Sequence, residues 1–143
     1  MKQINNKGFT LIELLAVIAI LAILIVLAVP NILNLFQESR QSAYQIDAQS
    51  VYEAAQTQWQ LEQLTTPATS VTTYSSISGN GSPLTNASIN ANAVYCVKID
   101  QSGKVTHFAY SQSGFKTKAI SGSDIQKSQI EIEQATGDAT CGS

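Results

Sequence analysis

A single carboxylate, that of Glu13, lies four residues into a hydrophobic stretch that runs from Phe9 to Val29. A charge at such a position costs roughly 2.5–3.5 kcal/mol on membrane-insertion scales. Two interpretations are open. Glu13 can lie at headgroup depth near a helix start, where the helix dipole favours an anion. Alternatively, it pairs with a cation inside the apolar layer. A cut after Gly8 would create such a cation, because it frees the α-amino group of Phe9 one helical turn from Glu13.

The two cysteines, Cys96 and Cys141, are the other residues with a chemistry of their own. Both lie in the part of the chain that would be outside a membrane. An even number of cysteines in an oxidising compartment predicts one disulfide, here closing a loop of about 45 residues. Two free thiols or a metal-binding pair are the alternatives, but there is no CxxC spacing and no nearby histidine partner to support them. The disulfide is the favoured interpretation.

The sequence shows no constellation of residues for catalysis. His107 is the only histidine, no serine lies in a G-x-S-x-G motif, and no glycine-rich loop leads into a helix. We therefore predict that the chain is not an enzyme and uses no cofactor. A calcium site is one interpretation of three acidic residues near the C-terminus, Glu131, Glu133 and Asp138. They lack the spacing of a known calcium loop, and an exposed strand face explains them equally well.

The helices and strands that position these residues must come from a chain of 143 residues, which is enough for one domain. Charged residues make up only 13%, against 44% hydrophobic residues, and sixteen of the latter run unbroken from Leu14 to Val29. The net charge of −2 and the isoelectric point near 5.2 speak against a nucleic-acid surface. No nucleic-acid partner is predicted.

The N-terminal segment fits a membrane helix better than a secretory signal. A secretory signal ends in small residues of the A-x-A type, whereas this run ends in Ala28-Val29-Pro30-Asn31. The 21 positions from Phe9 to Val29 match the roughly 20 residues needed to cross a bilayer. Lys2 and Lys7 precede them and favour a cytoplasmic N-terminus.

The residues around Glu13 resemble the class III signal of type IV pilins and pseudopilins. The resemblance rests on Lys7-Gly8-Phe9-Thr10-Leu11-Ile12-Glu13-Leu14, the long apolar run and Pro30. It implies that a prepilin peptidase cuts between Gly8 and Phe9, that the new amino group of Phe9 is methylated, and that Glu13 acts in assembly. The expected organisation is a leader at 1–8, a transmembrane and filament-core helix at 9–30, and a globular pilin head at 31–143.

A helical pattern continues into the head, because the segment from Asn31 to Leu64 has no glycine or proline. An apolar stripe recurs there at spacings of three and four, at Tyr44, Ala48, Val51, Ala55 and Trp59. The opposite face is expected to be polar and to include Glu38, Arg40, Asp47, Glu53 and Glu62. One helix from Phe9 to Leu64 is predicted, with a kink or a locally melted stretch at Pro30.

The rest of the chain alternates loop and strand signals. The uncharged segment from Gln63 to Val97 is interpreted as loop. It contains two triplets that match the glycosylation motif, Asn80-Gly81-Ser82 and Asn86-Ala87-Ser88, and such triplets often occur by chance. Strands are predicted at 94–99 and 105–110 around a turn at 100–104, with further short strands at 115–120 and 128–133. A long helix on a small antiparallel sheet is an α+β fold, the fold that the resemblance to pilins also implies.

The favoured function is that of a structural subunit of a type IV pilus, which leaves the membrane and polymerises through its apolar helix into a surface filament. Adhesion, motility and DNA uptake are open tasks. The implied partners are further copies of the chain, the prepilin peptidase, the assembly platform and minor pilins. A secretion or competence pseudopilin is one alternative. The alternative of another class is a monomeric, membrane-anchored surface binding domain, which would keep its leader and tolerate replacement of Glu13.

Overall fold

The computed structural model describes residues 8–85, 88–118, 120 and 122–142. The chain divides after Glu38 into two compact units, Met1–Glu38 and Ser39–Ser143. Asn86 and Ala87, which belong to the second glycosylation triplet, lie outside the described residues.

One α-helix, α1, extends from Leu11 to Thr65 and contributes to both units. It contains no glycine, and its residues are mostly strong helix formers. The backbone is helical through Pro30, so the locally melted stretch expected there is not present, while the kink stays a prediction. The helix ends two residues before Pro67, which cannot continue the backbone hydrogen-bond ladder.

The second unit contains a five-stranded antiparallel sheet whose strands lie in sequence order. The strands are β1 (Thr72–Ser75), β2 (Val94–Ile99), β3 (Val105–Gln112), β4 (Phe115–Thr117) and β5 (Ile132–Gln134). The predicted turn between β2 and β3 is present: Gly103 has a φ of 86°, and Asp100 N donates to Lys104 O at 2.9 Å. A short 3₁₀ helix covers Lys127–Gln129.

The core of the second unit lies between α1 and one face of the sheet, which confirms the α+β arrangement. Ala48, Val51 and Ala55 of the predicted stripe are buried, and Tyr44 and Trp59 pack against the core from its margin. Aromatic contacts join helix and sheet, with ring centroids 5.1 Å apart for Tyr44 and Phe115 and 5.9 Å apart for Tyr52 and Phe108.

Three expectations from the sequence are corrected. The uncharged segment is not all loop, because β1 lies within it and Tyr74 is fully buried. The strand expected at 128–133 begins only at Ile132, and the 3₁₀ helix precedes it. Glu62 does not lie on the polar face: its carboxylate accepts hydrogen bonds from Tyr74 and Gln58, both of them buried.

Candidate functional site

The start of α1 is built by Thr10 and Glu13. Thr10 N and Thr10 Oγ1 both donate to Glu13 Oε2, at 2.8 and 2.7 Å, and Glu13 N lies 3.4 Å from Thr10 Oγ1. This is a capping box, in which the residue before the helix and the third residue within it satisfy each other's backbone N–H groups. The carboxylate of Glu13 therefore has a local structural role that the sequence analysis did not identify, although the spacing Thr-x-x-Glu was visible.

The capping box uses only part of the hydrogen-bonding capacity of Glu13. Both short hydrogen bonds end on Oε2, and a carboxylate has two oxygens with about four acceptor positions. Among residues 8–85, 88–118, 120 and 122–142, Glu13 forms no ion pair and its Oε1 accepts no hydrogen bond. This oxygen remains available to a partner outside the described chain.

Gly8 and Phe9 precede the helix in an exposed, non-helical segment. The side chain of Phe9 is 87% exposed, and no atom lies within 4 Å of the position that a Cβ on Gly8 would occupy. The peptide bond between them is therefore unobstructed within the described structure. Since Thr10 and Glu13 both follow this bond, a cut here would leave the capping box intact.

The apolar part of α1 is not covered by any described residue of its own unit, 8–38. Every large apolar side chain from Leu11 to Val29 is at least 47% exposed. By length and composition, α1 is the one helix among the described residues that could cross a membrane. Exposed apolar surface of this extent marks a membrane or protein interaction site, because soluble monomers rarely expose contiguous apolar patches of this size.

The second predicted site, the Cys96–Cys141 disulfide, is present in the second unit, and the two Cα atoms lie 5.3 Å apart. Tyr95 and Val97 join the core beside α1, and successive side chains of a strand alternate between faces. Cys96 therefore lies on the opposite, outer face of the sheet. The bridge attaches the C-terminal residues 138–142, which we call the C-terminal strap, to this outer face.

Polar contacts hold the C-terminal strap on either side of the bridge. Ala139 N donates to Ser111 Oγ at 2.7 Å, and His107 Nε2 lies 2.9 Å from Thr140 O. Lys98 Nζ donates to Gly142 O. His107 is thus a half-buried residue on the sheet that contacts the C-terminal strap.

The three acidic residues considered for calcium have different surroundings. Glu131 forms an exposed ion pair with Lys118 at 2.7 Å. The Lys118 ammonium lowers the pKa of the Glu131 carboxyl, and the carboxylate in turn raises the pKa of Lys118. Glu133 lies opposite Lys116 in the β4–β5 register, and Asp138 belongs to the C-terminal strap. In the part of the chain that the structure describes, no three His, Cys, Asp or Glu side chains are grouped to hold a metal ion.

A polar network at the end of α1 was not anticipated. Glu62 Oε2 accepts from the Tyr74 hydroxyl at 2.7 Å, and Glu62 Oε1 accepts from Gln58 Nε2 at 3.0 Å. Gln58 Oε1 in turn accepts from Thr85 N at 2.8 Å. Burial, followed by the bonded carboxylate of Glu62, raises the pKa of Tyr74. Glu62 follows Trp59 of the apolar stripe by three residues and therefore lies on the same face of the helix. This spacing was the signal in the sequence that Glu62 faces the sheet.

Comparison with known proteins gives one match. Residues 4–29 match the model of the prokaryotic N-terminal methylation motif, the class III signal of type IV pilins and prepilins. No curated protein and no solved structure matches the chain. The matched residues contain the capping box and most of the exposed apolar helix. In its signal, and in the long helix and antiparallel sheet that follow it, the chain is similar to type IV pilins and pseudopilins.

Proposed function

We propose that this chain is the precursor of a filament subunit of the type IV pilus kind, held in the membrane by α1 and assembled through that same helix. The observation that carries the proposal is the apolar segment from Leu11 to Val29, which is exposed along its whole length and contains Glu13 near its start. In the membrane, lipid covers this segment. In a filament, the equivalent segments of other copies cover it.

Exchange of lipid for protein gains little hydrophobic free energy, because lipid tails are as apolar as leucine side chains. Close packing and polar pairing must then drive association. Glu13 supplies the polar group: Oε2 is used by the capping box, and Oε1 is available to a cation of a neighbouring copy. The proposed cation is the α-amino group of Phe9, which would set the axial offset between subunits.

The proposed processing supplies that cation. Removal of residues 1–8 by a prepilin peptidase creates the amino group of Phe9, and its methylation keeps the positive charge. The exposed, non-helical position of the Gly8–Phe9 bond supports such a cut. Pro30 is the proposed position of a bend within the helix. An assembly platform and minor pilins are the proposed further partners, and an extracellular filament is the proposed destination.

Intact mass spectrometry of material sheared from cells that produce this chain tests the proposal. The expected species begins at Phe9, carries one added methyl group and lacks two hydrogens because of the disulfide. Its presence in the sheared fraction would report processing, export and bridge formation in one measurement.

Two controls sharpen this experiment. Gly8→Leu should retain residues 1–8 and disappear from the sheared fraction, because the cut that creates the Phe9 amine is blocked. Lysed cells show how much subunit was made in each strain. A wild-type chain that keeps its leader and stays in membranes would overturn the proposal in favour of a monomeric, anchored surface domain. A processed chain that forms no surface material would favour a pseudopilin.

A further inference from the structure

The two sulfurs of the disulfide have different surroundings. Cys96 is fully buried in the middle of the sheet, between Ser75 of β1 and Ala109 of β3. Cys141 is half-buried in the C-terminal strap. Any reagent that reaches this bridge from solvent therefore meets Cys141 first.

A cavity of about 530 Å³ opens beside the bridge and gives access to Cys141. Its wall is formed by the loop after β1, the start of β2 and the strap: Ser76, Ile77, Asn80, Val94 and residues 138–141. Cys96 is not part of this wall. A volume of this size accommodates a small thiol, since ligand pockets begin at about 300 Å³.

The buried side of the bridge is closed by well-bonded groups. Ser75 Oγ lies 3.5 Å from Cys141 Sγ, donates to Tyr95 O at 3.0 Å and accepts from Ile77 N at 3.0 Å. Ser75 is itself buried, so it separates the disulfide from solvent on the β1 side. On this side, solvent does not reach the sulfurs directly.

From this arrangement we propose that the Cys96–Cys141 bridge is a directional thiol-exchange site, in which a small thiolate attacks Cys141 from the cavity and Cys96 is the sulfur released. The proposal does not depend on filament assembly. It assigns the cavity a ligand class, small thiols, and it assigns the two cysteines different roles.

The exchange proceeds in two balanced steps. The incoming thiolate forms a new S–S bond to Cys141 while the Cys96–Cys141 bond breaks, and the bonding electron pair leaves on Cys96, which takes a proton from water. A second thiolate of the reductant then attacks the mixed disulfide and releases Cys141. A dithiol reductant is thereby oxidised to its disulfide, and the protein gains two electrons and two protons.

The position of Cys96 beside the mixed disulfide determines whether the bridge re-forms or is fully reduced. Released Cys96 stays beside the mixed disulfide, so on losing its proton it attacks the Cys141 sulfur, re-forms the bridge and releases the monothiol as its thiolate. Monothiols should therefore give only a transient adduct on Cys141. Dithiols should carry the reduction through, because their second thiol competes with Cys96 within the same complex.

The direction of attack can be read by mass spectrometry. The full-length chain in detergent is exposed briefly to excess glutathione, quenched with acid, alkylated with N-ethylmaleimide and mapped by peptide mass. Glutathione is expected on Cys141 and maleimide on Cys96, with a preference of about tenfold or more set by access. The same reaction in urea should show no such preference.

Three outcomes would overturn the proposal. They are glutathione mainly on Cys96, an equal distribution in the folded chain, or no adduct in the folded chain under conditions in which the unfolded chain reacts completely. A pair of variants tests the cavity itself. Ile77→Trp narrows the cavity and should slow reduction by dithiothreitol, whereas Val71→Trp, an exposed position outside this cavity wall, should not. Equal rates in the two folded variants, verified by thermal melting, would contradict the assigned route.

Discussion

The hydroxyl of Tyr74 donates a 2.7 Å hydrogen bond to Glu62 Oε2, joining the first strand of the sheet to the last turn of α1. Gln58 occupies the other oxygen of the same carboxylate. Glu62 thus keeps both oxygens satisfied at the margin of the core, which explains how an acidic residue can face the sheet. The network ties together the helix end, β1 and the loop at Thr85.

Replacing Tyr74 by Phe should destabilise the second unit by about 1.5–3 kcal/mol, because a hydrogen bond to a charged group is lost. Denaturant unfolding of the full-length chain in detergent measures this. Tyr52→Phe is the matched control, since the Tyr52 hydroxyl bonds two neutral groups, donating to Ile125 O and accepting from Gln56 Nε2, and its loss should cost less than that of the Tyr74 hydroxyl. A Tyr52 variant that is equally destabilised or more so would contradict a special role for the Glu62 carboxylate.

Replacing Glu13 should separate its two roles. Glu13→Gln keeps the capping box, because glutamine at this position can still accept a hydrogen bond from Thr10 N, but it removes the charge. Glu13→Ala removes both. Cleavage of the leader should be normal in both variants, and surface filaments should be absent from both. Immunoblots of sheared fractions and whole cells measure this.

If Glu13→Gln formed normal filaments while Glu13→Ala did not, the capping box and not an ion pair would be the requirement. Normal filaments from both variants would remove Glu13 from the assembly mechanism.

Removing the disulfide should destabilise the second unit. Loop-closure entropy for a bridge between residues 45 apart gives about 4 kcal/mol as an upper value. Cys96→Ser and Cys141→Ser should both lower the melting temperature, and so should reduction of the wild-type chain. A melting temperature that is unchanged by either treatment would show that the polar contacts of the C-terminal strap hold it without the bridge.

Gly81 should tolerate no side chain. Its φ is +150°, and an added Cβ would lie 2.4 Å from Thr73 O, in the place where Ser82 pairs with β1. Gly114→Ala is the matched control, because Gly114 also has a positive φ but faces open space. Gly114→Ala should cost about 1–2 kcal/mol of unfolding free energy from backbone strain alone. Gly81→Ala should cost more, and an equal cost would show that the loop moves freely.

The turn at Asp100 should make stability depend on acid pH. Hydrogen bonds from the Ser102 hydroxyl, then from Lys104 N, lower the pKa of the Asp100 carboxyl below its ordinary value of 3.8. Because the folded pKa is the lower one, the stabilisation is complete well above pH 3.8 and is lost as the pH falls through the folded pKa. Asp100→Asn should therefore be less stable than wild type at neutral pH.

That difference between Asp100→Asn and wild type should disappear in strong acid, as followed by thermal melting across pH. Ser102→Ala, which removes the first of the hydrogen bonds, should reduce the acid dependence. A wild-type chain and an Asp100→Asn chain with parallel pH profiles would contradict this interpretation.

Much of the fold could be predicted because its signals are local. The stripe from Tyr44 to Trp59 repeats with the period of a helix, and the two central strands alternate around a turn that requires Gly103. The missed elements carry weaker local signals. β1 is only four residues long, and its threonines and serine are also typical of loops. Tyr74 becomes a core residue only because β2 pairs with it.

Three features can be recognised from short stretches of sequence, namely the apolar helix, the Thr-x-x-Glu capping spacing and the methylation motif, because each depends on residues within a few turns of one another. Only the folded chain shows that Glu62 faces Tyr74, that the C-terminal strap lies across the outer face of the sheet, and that Cys141, rather than Cys96, lines the cavity beside the bridge. These relations join residues far apart in the chain. Their geometry follows from strand order and packing, which no local pattern of side chains specifies.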